Sequence, residues 1–335
     1  MIPRSRPTEL KRFRLGDVLG EGADLQVFAA TDTQSGEPVV VKRPHPTLVS
    51  RNMHGDVEKR TLLQAEIRTR IGEMAGLVKL HRLTERDSFG WYFGDDLDNP
   101  YSVQVEERAK GVPLVGGVSD MIRGHPVGLP HNLFVLHPAS EYIGRGYTNP
   151  ALSTLGIIER FYEEGYLAQD LGPQNVFFFP ASGTSRVIDL GTLREPSAAT
   201  PRRPAFDLND ILFDVFRLYT TPEKPLREAE QFARTREFRL SGTLDRKAEA
   251  LSKEYAMADA RQADSALKIL SAIGRREYDS PARFKADFRD YIAATESAER
   301  DGDAEEAWRA ALRELRSPYW NKYLFDADSA LRGLF

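Results

Sequence analysis

Residues 167–191 read Leu-Ala-Gln-Asp-Leu-Gly-Pro-Gln-Asn-Val-Phe-Phe-Phe-Pro-Ala-Ser-Gly-Thr-Ser-Arg-Val-Ile-Asp-Leu-Gly, the most informative part of this chain. Asp170 and Asn175 are five residues apart with Pro173 between them, so a rigid loop can direct one carboxylate and one amide to the same place. Asp189 ends a short apolar run, which is typical of the end of a strand. A carboxylate there suits a hard cation such as Mg2+.

The composition limits the class of protein. With 335 residues, 41% hydrophobic and 29% charged, the chain can form one large domain or two lobes. The net charge of -4 and the absence of a basic stripe interleaved with aromatics predict no nucleic-acid partner. Without cysteine, disulfides, thiolate metal sites and cysteine nucleophiles are excluded. No apolar stretch approaches a membrane span, and we expect a soluble, cytoplasmic protein.

The first third of the sequence is rich in strand patterns. Short strands are predicted at 13–19, 26–30 and 39–42, in the order of an antiparallel meander, and another at 101–108. Apolar residues within 56–80 recur at helical spacing, which predicts one amphipathic helix packed on that sheet.

The rest of the sequence is mainly helical in pattern. A buried helix is predicted at 151–166, and a hairpin of strands 176–179 and 185–188 follows it. After Phe206 the periodicity is helical. Residues 111–149 are rich in Gly, Pro and His, which predicts a link between lobes with an irregular insertion.

Gly20 and Gly22 lie between the first two predicted strands. Small residues there would let backbone amides close over a triphosphate. A glycine pair in an ordinary hairpin turn is the alternative.

Lys42 ends the third predicted strand, and a lysine leaving an apolar run needs a counter-charge. We expect that partner to be Glu66 on the predicted helix, because the apolar residues after it lead the helix into the next strand. Glu58 is a rival, and Lys42 could instead extend to solvent.

Taken in order, these residues resemble the eukaryotic-type protein kinase superfamily over about residues 13–219. The resemblance implies an α+β, bilobal protein kinase-like fold: a small antiparallel β lobe with one helix, a large mainly helical lobe, and nucleotide in the cleft. The corresponding ranges are 1–108 for the N-lobe, 109–295 for the C-lobe and 296–335 for a helical C-terminal extension.

The resemblance also implies roles for individual residues. Asp170 would orient the acceptor hydroxyl and take its proton, and Asp207 resembles the buried aspartate that anchors the catalytic loop. The remaining assignments are Gly20, Gly22, Val27, Lys42, Glu107 and Ala109 for ATP, Asn175 and Asp189 for Mg2+, and Lys42 with Glu66 beside the catalytic Asp170.

This sequence differs from the family pattern at several positions that bear on activity. Gln169 replaces the arginine that would read an activating phosphate, Gly172 replaces the usual lysine near the transferred phosphate, and Leu25 stands at the third glycine position. Only seventeen residues separate Asp189 from Asp207, without Ala-Pro-Glu, so the usual peptide platform is minimal.

We expect an ATP-dependent kinase, a serine/threonine protein kinase using Mg-ATP. Two alternatives stay open: a small-molecule kinase acting on a metabolite, antibiotic or lipid, and a nucleotide-binding pseudokinase scaffold. Arg194, Arg202 and Arg203 in the short segment could hold an acidic substrate or form a solvated basic loop.

Overall fold

The structure is a computed structural model. It describes residues 4–117, 120, 123–125, 127–138, 149–198, 200, 205–221, 242–257, 263–296 and 303–323. The chain divides into two compact units, Met1–Ala109 and Lys110–Phe335. An antiparallel sheet dominates the first and helices dominate the second, which confirms the expected mixed α+β class.

The first unit is built on a five-stranded antiparallel sheet in the order β1-β2-β3-β5-β4. The predicted meander is confirmed, and the strand predicted at 101–108 is shorter than expected. A 3-10 helix, Pro7–Arg12, precedes the elements β1 Phe13–Glu21, β2 Leu25–Asp32, β3 Pro38–Pro44, α1 Pro46–Ser50, α2 Gly55–Ile71, β4 Leu80–Leu83, α3 Gly90–Phe93 and β5 Gln104–Glu107.

The two faces of this sheet differ in chemistry. Because side chains alternate along a strand, Val39 and Val41 of β3 face the apolar core while Lys42 faces the other way. The core face is filled by Leu10, Phe13, Phe28, Ala30, Val39, Val41, Val49, Phe89, Tyr101, Val103 and Val105.

Helix α2 ends earlier than its apolar pattern predicts. It begins with Asp56 and Glu58 in its first turn, where acidic side chains favour a helix N-terminus. It stops at Ile71 because Gly72 takes a left-handed φ of 83°. The apolar residues between 72 and 80 therefore lie outside the helix, and that part of the prediction is wrong.

The second unit surrounds the loop of residues 169–175, called the motif loop below, with short strands and helices. The hairpin predicted near 176–188 is confirmed as β8 and β9, β6 pairs with β8, and β7 pairs with β10. The elements are β6 Val112–Pro113, α4 Leu129–Leu136, α5 Pro150–Glu163, β7 Leu167–Ala168, β8 Val176–Phe179, β9 Thr184–Val187, β10 Leu193–Arg194, α6 Leu208–Tyr219, α7 Leu244–Met257, α8 Ala263–Gly274, α9 Pro281–Glu296, α10 Asp303–Glu314 and α11 Pro318–Asn321.

Part of the segment 111–149 is regular, contrary to expectation. Strand β6 and helix α4 lie in it, and α4 is almost wholly buried. Phe134 of α4 packs edge-on against Trp308 of α10, with ring centroids 5.1 Å apart. The burial of Trp308 and Trp320 makes the C-terminal helices part of the second unit's core. None of the described helices is long and apolar enough to cross a membrane.

Candidate functional site

The loop between β7 and β8 is held against the turn that follows β9. Strands β7 and β10 pair, and the Gln169 amide donates to the Thr192 carbonyl at 2.9 Å. Gly191 takes a φ of 59°, and a Cβ added there would lie 2.7 Å from the Cβ of Asp170. Only glycine fits this approach. Gly191, two residues after the predicted metal ligand Asp189, thus lies beside the predicted catalytic aspartate.

Asp170 has an unusual backbone conformation. Its φ is 65°, in the left-handed region that costs a non-glycine residue about 1–2 kcal/mol. Two side chains hold it: Asn175 Nδ2 donates to the Asp170 carbonyl at 2.9 Å, and Gln174 Nε2 donates to Asp170 Oδ1 at 3.2 Å. The carboxylate itself is exposed. Strain held by neighbouring groups is common at functional sites.

Asn175 and Asp189 offer a pair of oxygen ligands. Because Asn175 Nδ2 donates to Asp170, its Oδ1 is the atom presented elsewhere as an acceptor. Asp189 Oδ1 accepts from the Gly191 amide at 2.8 Å, and the Ile188 amide donates to the Asn175 carbonyl at 2.9 Å, tying the two segments together.

This donor set fits Mg2+. An amide oxygen and a carboxylate are hard ligands, and Mg2+ is commonly held by one or two carboxylates with waters and substrate phosphates. Within the described ranges no group of three or more His, Cys, Asp or Glu side chains forms a metal cage. Asn175 and Asp189 are the residues of the motif loop and of the β9 end whose side-chain oxygens would suit such a cation.

Lys42 lies in a buried ion-pair network within the first unit. Its Nζ is 2.6 Å from Glu106 Oε2, and Arg68 Nη1 is 2.5 Å from Glu106 Oε1. These side chains are at most 8% exposed. Burial opposes ionisation of Glu106, but the charges of Lys42 and Arg68 outweigh it, and the pKa of Glu106 is lowered. Val27, predicted to contact ATP, is the direct β2 neighbour of Lys42.

The predicted pairing of Lys42 with Glu66 is wrong. Helix α2 buries the side of Val57, Thr61, Ala65 and Arg68, and Glu66 is exposed. Because Glu66 precedes Arg68 by two residues, its side chain lies about 200° around the helix axis from that of Arg68, on the opposite side.

Glu58 is not the partner either. It is buried at the start of α2, where its Oε1 accepts from the Ser102 amide at 2.9 Å and its Oε2 lies 3.2 Å from Arg86. Glu106 was not predicted as the partner because the alternation of residues 103–106 also fits a strand with a solvent-exposed polar face.

The glycines of the β1–β2 turn are not required by the turn. The Gly22 amide donates to the Leu25 carbonyl at 2.9 Å, and an ion pair of 2.7 Å between Asp24 and Arg60 ties the turn to α2. Neither Gly20 nor Gly22 has a positive φ, and a Cβ on Gly20 would meet nothing within 4 Å. A residue with a side chain could therefore adopt the same backbone at both positions.

Of the two residues predicted for ATP at the end of the first unit, Glu107 has its backbone amide already in use. The Glu107 amide donates to the Lys79 carbonyl at 2.8 Å, so it does not remain to bind a base. Ala109, the other residue predicted there, is 7% exposed and ends the first unit.

Asp207 does not anchor the motif loop in the way that was expected. Its side chain caps α6 by accepting from the Asn209 amide at 2.8 Å, and it pairs with Arg276 at 2.5 Å. Tyr219 at the other end of α6 makes the contact instead, donating its hydroxyl to the Leu171 carbonyl at 3.0 Å. Burial raises the pKa of Tyr219, so its hydroxyl keeps its proton.

The short segment after Asp189 folds back on itself. Ser197 and Phe206 exchange two backbone hydrogen bonds of 2.8 and 2.9 Å. The guanidinium of Arg194 stacks 4.4 Å above the ring of Phe206. Arg202 and Arg203 lie outside the described residues.

The predicted residues therefore fall into two sets. Lys42 and its counter-ion belong to the first unit, and Asp170, Asn175 and Asp189 are grouped in the second. A scan against models of known protein families gives no match, and no curated protein matches the sequence.

Proposed function

We propose that this protein is an ATP-dependent phosphotransferase of the protein kinase-like superfamily, which transfers phosphate from Mg-ATP to a serine or threonine hydroxyl of a protein. One observation carries the proposal: the exposed Asp170 is held in a left-handed conformation by Asn175, beside the turn of Asp189 and Gly191. This supplies an acceptor-orienting carboxylate and two cation ligands in one local arrangement.

The fold supports the same proposal. The first unit pairs five antiparallel strands and carries its longest helix, α2, between β3 and β4, as a small kinase-like lobe would. The second unit is mainly helical and presents the motif loop between short paired strands.

The chain's own residues have separate tasks in this reaction. Asp170 orients the acceptor hydroxyl and takes its proton as the phosphate is transferred. Asn175 and Asp189 would hold Mg2+, which supplies neutralisation of phosphate charge when bound.

Lys42 binds phosphate oxygens. The ion pair with Glu106, whose other oxygen is held by Arg68, fixes the position of the Lys42 ammonium for this task. Glu106 performs the positioning task that was expected of Glu66.

A small-molecule acceptor is the second candidate. It is favoured by the closure of the segment after Asp189 through Ser197 and Phe206, because a segment paired with itself offers less extended backbone to a bound peptide.

The test is incubation of the purified chain with γ-labelled ATP, Mg2+ and a cell lysate, followed by separation of the label by size. Macromolecular label supports a protein kinase, and small labelled products support the second candidate. Asp170→Ala and Asp189→Ala are expected to abolish transfer, whereas Asp290→Ala, an exposed aspartate on α9, keeps it. Full activity of either of the first two variants refutes the assignment.

A scaffold role is distinguished in the same samples. Nucleotide binding by the wild type without transfer of label to any acceptor, to itself or to water supports a pseudokinase instead.

A further inference from the structure

The side chain of Gln174 folds back over the motif loop. A 3-10 turn, Pro173–Asn175, places Gln174 so that its Nε2 reaches Asp170 Oδ1 at 3.2 Å. Hydrogen bonds to a charged acceptor are stronger than those between neutral groups. Gln174 therefore contributes to the orientation of the carboxylate, whereas Asn175 fixes the backbone of the same residue.

Gly172 provides the space that this arrangement needs. Its φ is -72°, which any residue adopts, so the backbone does not require glycine. A Cβ at residue 172 would lie 2.7 Å from Gln174 Nε2 and 2.9 Å from Gln174 Cδ. The amide of Gln174 thus occupies the volume that a side chain at 172 would fill.

We propose that Gln174 is a positioning residue of the transfer reaction, holding the Asp170 carboxylate toward the acceptor hydroxyl, and that Gly172 is present to admit it. This inference rests on the proposed function. It also explains why residue 172 is glycine where the family pattern has lysine. The neutral amide of Gln174, two residues later, takes the place of that charged side chain.

The geometry makes Gly172→Ala an indirect probe. The atoms that its Cβ would meet belong to the far end of a flexible side chain, so the substitution displaces Gln174 without breaking the fold. We expect Gly172→Ala and Gln174→Ala each to lower kcat by about 10- to 100-fold, the loss expected for a hydrogen bond to a charged group. KM for ATP stays within about twofold, because Asp170 acts on the acceptor.

A double-mutant cycle tests whether the two residues act together. If Gly172→Ala acts by displacing Gln174, the double variant is no slower than either single variant. Gln34→Ala, an exposed glutamine beside β2, is the control and retains the wild-type kcat. Unchanged kcat in Gln174→Ala overturns the positioning role of Gln174. Additive losses in the double variant overturn the proposal that Gly172 is present to admit Gln174.

A second readout does not depend on activity. The side-chain amide resonance of Gln174 in a 15N correlation spectrum, assigned by its absence in Gln174→Ala, is expected to shift in Gly172→Ala and in Asp170→Asn. A resonance that is unchanged in both variants overturns the proposed contact. No transfer by the wild type, even with the expected shifts, refutes the proposed function and with it the catalytic role of Gln174, while the contact itself stands.

Discussion

Lys42 and Glu106 form a buried ion pair between neighbouring strands of one sheet, with Lys42 Nζ 2.6 Å from Glu106 Oε2. The position of the lysine is therefore set by the pairing of β3 with β5. Arg68 of α2 binds the other oxygen of the same carboxylate and links the helix to this pair.

Removing the charge of Glu106 takes away the carboxylate that the buried Lys42 and Arg68 share. Glu106→Gln should lower the free energy of unfolding by about 3–5 kcal/mol, the cost of breaking a buried pair. Glu66→Gln, on the exposed side of α2, should change it by less than about 0.5 kcal/mol. Urea denaturation measures both, and equal effects of the two substitutions would contradict the assignment.

The same pair predicts a dependence of stability on pH. Because the pKa of Glu106 is lower in the folded state than its ordinary value of about 4.3, its contribution is complete above that pH and is lost as the pH falls through the folded pKa. The difference in unfolding free energy between wild type and Glu106→Gln should therefore shrink below about pH 4. A constant difference from pH 7 to pH 3 argues against an ionised Glu106.

Because Asp170 has a left-handed backbone, its replacement by glycine is expected to affect phosphate transfer and the free energy of unfolding differently. Asp170→Gly relieves the strain, so the free energy of unfolding should stay the same or rise by up to about 1 kcal/mol while phosphate transfer is lost. Thermal unfolding and a transfer assay on the same sample give both quantities. A marked loss of stability would mean that the carboxylate serves mainly to hold the loop.

Gly191 lies against Asp170, so the segment after β9 approaches the motif loop at this residue. Gly191→Ala adds a methyl group against Asp170 at an unfavourable φ and should destabilise the second unit by about 2 kcal/mol or more. Gly156→Ala is the matched control: in the interior of α5, with nothing closer to its Cβ than Lys285 Nζ at 3.9 Å, it should stabilise by about 0.5–1 kcal/mol. Similar effects in both would exclude a special role for residue 191.

The proposed cation ligands predict a metal requirement. Chelation of Mg2+ should stop transfer, and Asp189→Asn should raise the Mg2+ concentration for half-maximal rate by at least about tenfold. Asp214→Asn, an exposed aspartate on α6, serves as the control. An unchanged Mg2+ dependence in Asp189→Asn would remove that residue from the metal site.

Local patterns were enough for much of the fold. The alternating apolar residues of β1–β3, the hairpin of β8 and β9, and the helix before the motif loop were predicted because each depends on neighbours within a few residues. The same holds for the candidate set Asp170, Asn175 and Asp189, whose spacing with Pro173 indicates one loop and one strand end.

Interactions between distant segments were beyond those patterns. Glu66 was expected to pair with Lys42 because the apolar residues after it lead towards the next strand, but the buried face of α2 contains Arg68 and leaves Glu66 exposed. From the sequence alone an arginine is expected at the surface, so the burial of Arg68 against Glu106 was not predicted. Likewise, Tyr219 takes the contact expected of Asp207, because the side chain of Asp207 is used to cap α6.

The amino-acid order alone established the α+β class and the motif loop, since these follow from short-range periodicity and turn chemistry. The partner of Lys42, the hold of Gln174 on Asp170 and the closeness of Gly191 to that residue came only from the folded chain. The partner of a buried charge and the free space beside a glycine both depend on backbone segments that come together only when the chain folds. A local sequence pattern does not contain that information.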